Sequence, residues 1–286
     1  MMENALSVRN LNKTFPDFAL HNISFDVPKG SVVGIIGENG SGKSTTLKCI
    51  LGQDIPSSGT VEIFGINPYE DIKAHDYVGA ASDTAHFPDN FCANDIAAVL
   101  SRVFVHWNWE VWESLLKNCR LNPTQPIGKF SRGMKAKISL AAALSHEASL
   151  LILDEATVGL DPVIREEMLD LLLDFMQQDG HAILMTSHIT SDLEKIADYI
   201  VFIKDGRIEF VEEKDTLLDQ YAMVQVSQSQ QEFIQPEFIV RKRRLPLACE
   251  LLIKGRQEFM NLYPDYALSP ATLDEIVLMF IKGEKA

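Results

Sequence analysis

The feature that most constrains the fold of this chain is a glycine-rich segment between an apolar run and a helical pattern. The segment is Gly37-Glu38-Asn39-Gly40-Ser41-Gly42-Lys43-Ser44-Thr45, which has the spacing of a phosphate-binding loop. The apolar run 32–36 before it predicts a strand buried on both faces, and 45–51 after it is compatible with a helix. Backbone N–H groups and a helix N-terminus would then converge on one anion site, which predicts a cradle for nucleotide phosphates.

Length and charge narrow the classes of protein to which this chain can belong. Its 286 residues are enough for one large domain with a small appendage. The formal net charge of -14 argues against broad attraction to nucleic acid, so we expect no nucleic-acid partner. The cysteines lie far apart without a C-x-x-C pair, which is typical of ordinary thiols in a reducing cytoplasm. They are Cys49, Cys92, Cys119 and Cys249.

The sequence does not predict a membrane-crossing segment. The first residues, Met1–Ala5, lack the charged and apolar regions of a secretion signal. The apolar run 276–281 is far shorter than the ~20 residues that span a bilayer. A role at a membrane is therefore expected to need another polypeptide.

Alternating apolar runs and helical patterns predict a doubly wound α/β core, and the phosphate-binding loop makes it a core of the P-loop NTPase type. Buried strands are expected at 32–36, 150–153, 182–185 and 199–203. Asp205-Gly206 after the last of these predicts a hairpin. Apolar residues near 6–8 and 23–27 predict an antiparallel β subdomain laid against that core.

Two further regions differ in pattern from this core. Between about 84 and 146, apolar residues recur with helical spacing, which predicts an inserted helical subdomain. Past 220 the composition shifts, and the polar run 227–231 predicts a linker or turn. We expect a main domain over 1–220 and a small α+β accessory domain over 221–286.

An acidic pair follows the apolar run 150–153. Asp154 stands at the end of this predicted strand, where a carboxylate can hold Mg²⁺ directly or through water. Glu155 projects differently and could orient or deprotonate an attacking water. The alternative is a solvated acidic pair that simply ends a strand.

The chain resembles the ATP-binding subunit of an ABC transporter over nearly all of residues 4–220. In that family the order is phosphate loop, glutamine loop, signature, Walker B with a catalytic Glu, D-loop and switch His. The corresponding positions here are Gly37–Thr45, a position near Asp83, Phe130-Ser131-Arg132-Gly133-Met134, Leu150–Glu155, Gly159-Leu160-Asp161 and His188. The resemblance implies an ATPase that uses ATP and Mg²⁺.

The resemblance also implies a role for individual residues. Lys43 would neutralise the β- and γ-phosphates, and Ser44 would ligate Mg²⁺ together with Asp154. Glu155 would act on the attacking water, and His188 would contact the water and the γ-phosphate. The ATP-binding residues would be Phe15, which would stack on adenine, with Gly37, Asn39, Gly40, Ser41, Gly42, Lys43, Ser44, Thr45, Ser131, Gly133 and Asp161.

The signature implies a second subunit. Ser131 and Gly133 would bind the γ-phosphate of ATP that another ATPase subunit holds, so one chain cannot close its own site. We expect two such subunits at the cytoplasmic face of the cell membrane, where they drive a separate transmembrane permease. The motifs and the C-terminal region look most like subunits of bacterial exporters, including those that handle peptides.

Three departures from the family pattern leave alternatives open. The signature has Arg132 and Met134 where Gly and Gln are commonest, and Ala156 follows the catalytic Glu where Pro is usual. No Gln occurs from 54 to 124, so Asp83 would serve as the Mg²⁺-sensing residue of the glutamine loop. A regulatory subunit with little turnover is one alternative. A soluble ABC-type ATPase that acts on DNA or ribosomes is another.

Two conspicuous clusters lie outside these motifs. The run Arg241-Lys242-Arg243-Arg244 is interpreted as a solvated loop, with contact to anionic lipid or an acidic partner as the alternative. Trp107-Asn108-Trp109 is expected to pack within the helical subdomain, with a surface for a membrane subunit as the alternative.

Overall fold

The computed structural model describes residues 3–82, 87–246 and 248–285. In chain order the strands are β1 (Asn4–Thr14), β2 (Ala19–Pro28), β3 (Val32–Ile36), β4 (Ser58–Ile63), β5 (Val78–Ser82), β6 (Leu150–Asp154), β7 (Ala182–Thr186), β8 (Tyr199–Lys204), β9 (Arg207–Glu213), β10 (Tyr221–Val226), β11 (Ile239–Arg244), β12 (Cys249–Lys254), β13 (Leu268–Pro270) and β14 (Glu284–Lys285). The α-helices are α1 (Lys43–Ile50), α2 (Ala93–Val103), α3 (Trp109–Asn118), α4 (Arg132–Leu144), α5 (Pro162–Phe175), α6 (Thr190–Ile196), α7 (Lys214–Gln220), α8 (Gln228–Gln231), α9 (Arg256–Leu262) and α10 (Leu273–Lys282).

A six-stranded sheet with the order β5-β6-β7-β3-β8-β9 forms the centre of the fold. Its strands are parallel except for β9, which pairs antiparallel to β8 through the turn at Asp205-Gly206. The strands β3, β6 and β7 are almost wholly apolar because helices or a second sheet cover both faces. The predicted α/β core and the predicted hairpin are therefore confirmed.

One face of the central sheet is covered by a three-stranded antiparallel sheet with the order β2-β1-β4. Leu6, Leu11 and Ile23 from this small sheet share one apolar cluster with Ile35 and Ile152 of the central strands. The predicted antiparallel β subdomain is confirmed, but its strands are longer than the short runs 6–8 and 23–27. Strand β4 was not predicted, because its alternating and mostly polar sequence buries only two side chains.

The helices α2, α3 and α4 form the inserted helical subdomain, which has an apolar cluster of its own. Trp112 is its largest buried side chain, and the ring of Trp107 lies 5.4 Å from it and 6.1 Å from Trp109. The expectation that these tryptophans pack within the subdomain is confirmed for Trp107, whereas Trp109 contacts Trp107 but is 48% exposed. Helix α4 is also the connection to the core, because Leu140 and Ala143 contribute to the cluster around the central sheet.

The C-terminal region is a five-stranded antiparallel sheet with helices against it, in agreement with the predicted α+β appendage. One face packs with α9 around Phe259 in a separate apolar cluster. Helix α10 instead inserts Leu273, Ile276 and Phe280 into the same cluster as Phe202 of β8. The last helix of the chain is therefore anchored on the core around the central sheet and not only on its own sheet.

Two expectations about this region were wrong. The basic run is not a solvated loop but strand β11, in which Arg241 is buried, bonds Glu209 at 3.0 Å and stacks 4.3 Å from the Phe280 ring. The polar run 227–231 is not a linker, because Ser227 caps the short helix α8. The basic run is held by partners from distant segments, whereas α8 begins with a local capping box between Ser227 and Gln230.

None of the helices in the described ranges combines the length and apolar character that a bilayer span requires. The cysteines are all free, and Cys49, Cys119 and Cys249 are buried, as expected for ordinary thiols.

Candidate nucleotide site

The glycine-rich segment connects the carboxyl end of β3 to the N-terminus of α1, as predicted. Gly42 caps this helix with φ of 113°, a backbone conformation that residues with a Cβ rarely adopt. A Cβ on Gly37 would lie 2.2 Å from the carbonyl oxygen of Ile203, so only glycine allows the loop to lie this close to β8. These two glycines fix the curve that turns the backbone N–H groups toward one point.

The loop surrounds a buried cation and a buried hydroxyl. The Nζ of Lys43 donates hydrogen bonds to the carbonyl oxygens of Gly37 at 2.8 Å and Glu38 at 3.1 Å, and its side chain is only 4% exposed. Burial lowers the pKa of Lys43, while the Glu155 and Asp154 carboxylates act in the opposite direction. The Oγ of Ser41 is buried without a hydrogen-bond partner among the described residues. An anionic ligand at the loop would satisfy both groups.

The acidic residue at the end of β6 contacts the loop directly. Asp154 Oδ1 accepts hydrogen bonds from Ser44 Oγ at 3.2 Å and from Thr186 Oγ1 at 2.6 Å. Carboxylate and hydroxyl oxygens are suitable ligands for Mg²⁺. Within the described ranges no three His, Cys, Asp or Glu side chains cluster as a metal site, and Mg²⁺ bound with nucleotide needs only one or two protein ligands.

Glu155 occupies a strained position between two other predicted site residues. Its φ is 51°, and its N–H donates to Thr186 Oγ1 at 3.0 Å. Its carboxylate lies 3.9 Å from Lys43 Nζ through Oε1 and 3.4 Å from His188 Nδ1 through Oε2. The side chain of His188 is 46% exposed, so it faces the open side of the site. The structure thus brings Lys43, Glu155 and His188 together.

Sequence analysis missed Thr186, which holds both acidic residues of the pair. It is fully buried and lies opposite Asp154 in the parallel register of β6 and β7. The available signal was a polar residue that ends an apolar strand two positions before His188. A Thr at that point becomes informative only when the neighbouring strand is known.

A cleft of about 600 Å³ opens beside the phosphate loop. Residues 37–41, His188 and Thr190 form one side of it, and Lys204 and Asp205 lie at its edge. The other side comes from α10, which sequence analysis assigned to a separate appendage. The α10 residues that line it are Asp274, Val277, Leu278 and Ile281.

The signature residues lie outside this cleft. Ser131 is exposed and caps α4, where its Oγ accepts the N–H of Met134 at 3.2 Å. Asp161 caps α5 in the same way, with the N–H groups of Val163 and Ile164 both at 3.1 Å. No residue that lines the cleft within the described ranges belongs to α4 or α5. These parts of the predicted site are therefore not assembled with the phosphate loop in one chain.

The signature and the D-loop form one continuous surface. A Cβ on Gly133 would lie 2.5 Å from Cδ1 of Ile164, and a Cβ on Gly159 would lie 2.2 Å from Nη1 of Arg132. The unusual Arg132 therefore rests directly on the D-loop. We call the surface formed by residues 129–135 and 159–164 the donor surface.

The roles of two predicted site residues, Phe15 and Asp83, stay predictions. Phe15 is 37% exposed, with Lys13 Nζ 5.2 Å from its ring centroid, and Phe18 is the aromatic residue that approaches Gly42. The adenine-stacking role of Phe15 stays a prediction. Asp83, the predicted substitute for the glutamine of the family, lies outside the described residues.

Comparisons with known proteins identify the family of this chain. Residues 20–158 match the family described as ABC transporter. The bacitracin transport ATP-binding protein BcrA of Enterococcus faecalis is 34% identical, over 73% of this chain and 69% of that protein. The lantibiotic transport ATP-binding protein SrtF of Streptococcus pyogenes is 32% identical, over 73% of this chain and 91% of that protein.

A solved ATP-binding cassette shares the fold with a TM-score of 0.65 and 22% identity, over 73% of this chain and 98% of that chain. That structure is described as a dimer in a post-hydrolysis state, bound to ADP and Pi. The phosphate loop, the acidic strand end and these relatives lead to one conclusion. The chain belongs to the ABC transporter family, as an ATP-binding subunit of the kind that hydrolyses ATP.

Proposed function

We propose that this chain binds and hydrolyses ATP as one of two ATPase subunits that power a separate transmembrane permease. The observation that carries the proposal is the position of the Glu155 carboxylate between Lys43 Nζ and His188 Nδ1 at the phosphate loop. That position places a proton acceptor beside the groups that would hold the terminal phosphate.

The site residues divide the chemistry among them. The N–H groups of residues 40–45, Lys43 Nζ and Ser41 Oγ would hold the phosphate oxygens. Ser44 and Asp154 would hold Mg²⁺, which supplies charge neutralisation between the β- and γ-phosphates when it is bound. Glu155 would orient the attacking water and accept its proton at the carboxylate, and His188 would contact the γ-phosphate.

The second copy completes the site in this proposal. Ser131 and Gly133 lie at the N-terminus of α4, which is suited to an anion, yet they are absent from the cleft of their own chain. The solved cassette of the same fold is a dimer with ADP and Pi. We infer that the donor surface of one copy covers the ATP that the other copy holds, with Asp161 beside it.

The relatives support the transport role, and the direction of transport is our proposal. Those proteins are described as bacitracin and lantibiotic transport ATP-binding proteins, and we propose export of a peptide by the complete transporter. The permease would hold the chain at the cytoplasmic face of the membrane. We also propose the division into a cassette over 1–220 and an accessory domain over 221–286.

The proposal is tested by comparing wild type with Glu155→Gln and with Glu258→Gln, a matched change at an exposed carboxylate on α9. We expect ATP turnover to fall at least about 100-fold in Glu155→Gln only, because a positioned general base contributes about 10²–10⁴-fold. We also expect ATP-dependent dimers of Glu155→Gln in light scattering. Equal turnover in all three proteins would remove Glu155 from the catalytic role, and negligible turnover in all three would favour a regulatory subunit.

A further inference from the structure

One wall of the nucleotide cleft is built by the last helix of the chain. Asp274, Leu278 and Ile281 are spaced four and three residues apart and share one face of α10, which lines the cleft. Asp274 is exposed, and Leu278 and Ile281 are half-buried. The phosphate loop and His188 line the same cleft. Whatever covers the loop from the solvent side therefore meets this helix face as well.

Hydrogen bonds fix α10 in this position at both ends. Leu273 N–H donates to Glu194 Oε1 at 2.8 Å, and Thr190 Oγ1 donates to Asp274 Oδ1 at 3.3 Å. At the other end Lys204 Nζ donates to the carbonyl oxygens of Phe280 at 3.0 Å and Ile281 at 3.2 Å. Thr190 and Glu194 lie on α6, which begins just after His188. The helix is thus a fixed part of the wall.

The net charges of the cleft and of the donor surface are opposite in sign, although Lys204 also lines the cleft and Asp161 belongs to the donor surface. Asp274 and Asp205 line the cleft together with Glu38 of the loop. The donor surface carries Arg132, with Lys129 and Lys135 on either side of it in the sequence. A chain with a net charge of -14 repels its own copies at long range, so local complementarity is needed where two copies meet.

We propose that the cleft face of α10 is part of the dimer interface and contacts the donor surface of a second copy of this chain when ATP is bound. The proposal rests on the ATP-bound dimer described under the proposed function, and adds a contact that the ATPase motifs do not contain. The accessory domain then contributes its last helix to the ATP-bound dimer, next to the phosphate loop.

The test uses Glu155→Gln as the background, because ATP-bound dimers are expected to accumulate there. Leu278→Lys and Asp274→Lys are each added, and Met260→Lys on α9 serves as the control, since Met260 is exposed and does not line the cleft. Dimer dissociation constants with MgATP are measured by sedimentation. Binding of a fluorescent ATP analogue to the monomer is measured separately at low protein concentration.

We expect Leu278→Lys and Asp274→Lys each to weaken the dimer at least about tenfold, because each places a positive charge against the basic donor surface. Met260→Lys should leave the dimer unchanged. The dimer dissociation constants are compared at ATP concentrations that saturate each monomer, because Asp274 and Leu278 line the nucleotide cleft. Asp274→Lys carries the test if Leu278→Lys unfolds, since Asp274 is exposed.

The outcomes separate the two proposals. If Glu155→Gln alone forms no dimer with ATP, the shared-site proposal fails and this inference fails with it. If dimers form and both α10 variants match the control, only the inference about α10 is overturned. Tighter dimers in the α10 variants would also overturn it, because α10 would then shield the cleft from the second copy.

Discussion

The two halves of the proposed ATP site are built differently within the same chain. In the phosphate-loop half, Lys43 is buried and bonded to the loop, and Ser44, Asp154 and Thr186 form a connected set. In the signature half, Ser131 is exposed and its hydroxyl caps its own helix. One half is therefore held in place by the chain alone, whereas the other is exposed to solvent, where we propose that a second copy binds.

The largest effect is expected in the pre-organised half. Lys43→Ala removes a buried cation and leaves the Glu155 carboxylate without its partner at 3.9 Å. Turnover should fall at least about 100-fold, as for loss of a preorganised donor to developing charge. Lys48→Ala on the exposed side of the same helix is the control and should keep wild-type turnover. Equal rates in both variants would show that the loop does not hold the phosphates.

A smaller effect on turnover is expected in the outward half. Ser131→Asp keeps a good helix cap, since Asp is among the preferred N-cap residues, but places a negative charge against the phosphate of a second copy. We expect turnover to fall about 10- to 100-fold with unchanged ATP binding by the monomer. Ser131→Ala should instead lower the free energy of unfolding by about 1 kcal/mol through the lost cap.

These two variants separate the cap from the phosphate contact. Thermal unfolding measures the first role, and steady-state ATPase assays measure the second. Full turnover in Ser131→Asp would mean that Ser131 serves only its own helix, and the contrast between the two halves would disappear.

Loss of the hydroxyl that holds the acidic pair should have an intermediate to small effect on turnover. Thr186→Val keeps the shape but removes the hydroxyl that bonds Asp154 at 2.6 Å and Glu155 N–H at 3.0 Å. We expect turnover to fall about tenfold, as for outer partners of metal ligands, with a raised requirement for Mg²⁺. Thr46→Val is the control, because its buried hydroxyl bonds only Gly42 O at 2.9 Å. A Mg²⁺ titration of turnover checks the difference.

The smallest effect on turnover is expected outside both halves. Arg241→Ala removes the ion pair with Glu209 and the stacking on Phe280, and should lower the free energy of unfolding by about 2 kcal/mol. ATP binding by the monomer should stay unchanged. Arg244→Ala is the control, since Arg244 is exposed on the same strand and should change stability by less than about 0.5 kcal/mol. Denaturant titrations compare the two.

The sequence by itself determined the parts of the molecule whose physics is local. The glycine spacing fixed a loop before a helix N-terminus, because only glycine permits its backbone turn and the close approach to β8. Unbroken apolar runs fixed β3, β6 and β7, because strands covered on both faces need apolar side chains throughout. Asp161-Pro162 and Thr272 with Glu275 fixed two helix starts, because capping requires those residue types at those positions.

Only the tertiary structure decided which distant residues meet. The parallel register of β6 and β7 places Thr186 against Asp154, and no spacing along the chain encodes that register. The basic run became a strand because Glu209, Glu250 and the Phe280 ring compensate its charges after folding. Helix α10 lines the nucleotide cleft because its apolar face packs into the same cluster as Phe202 of β8. Such contacts join segments far apart in sequence, so their energies are absent from any local pattern.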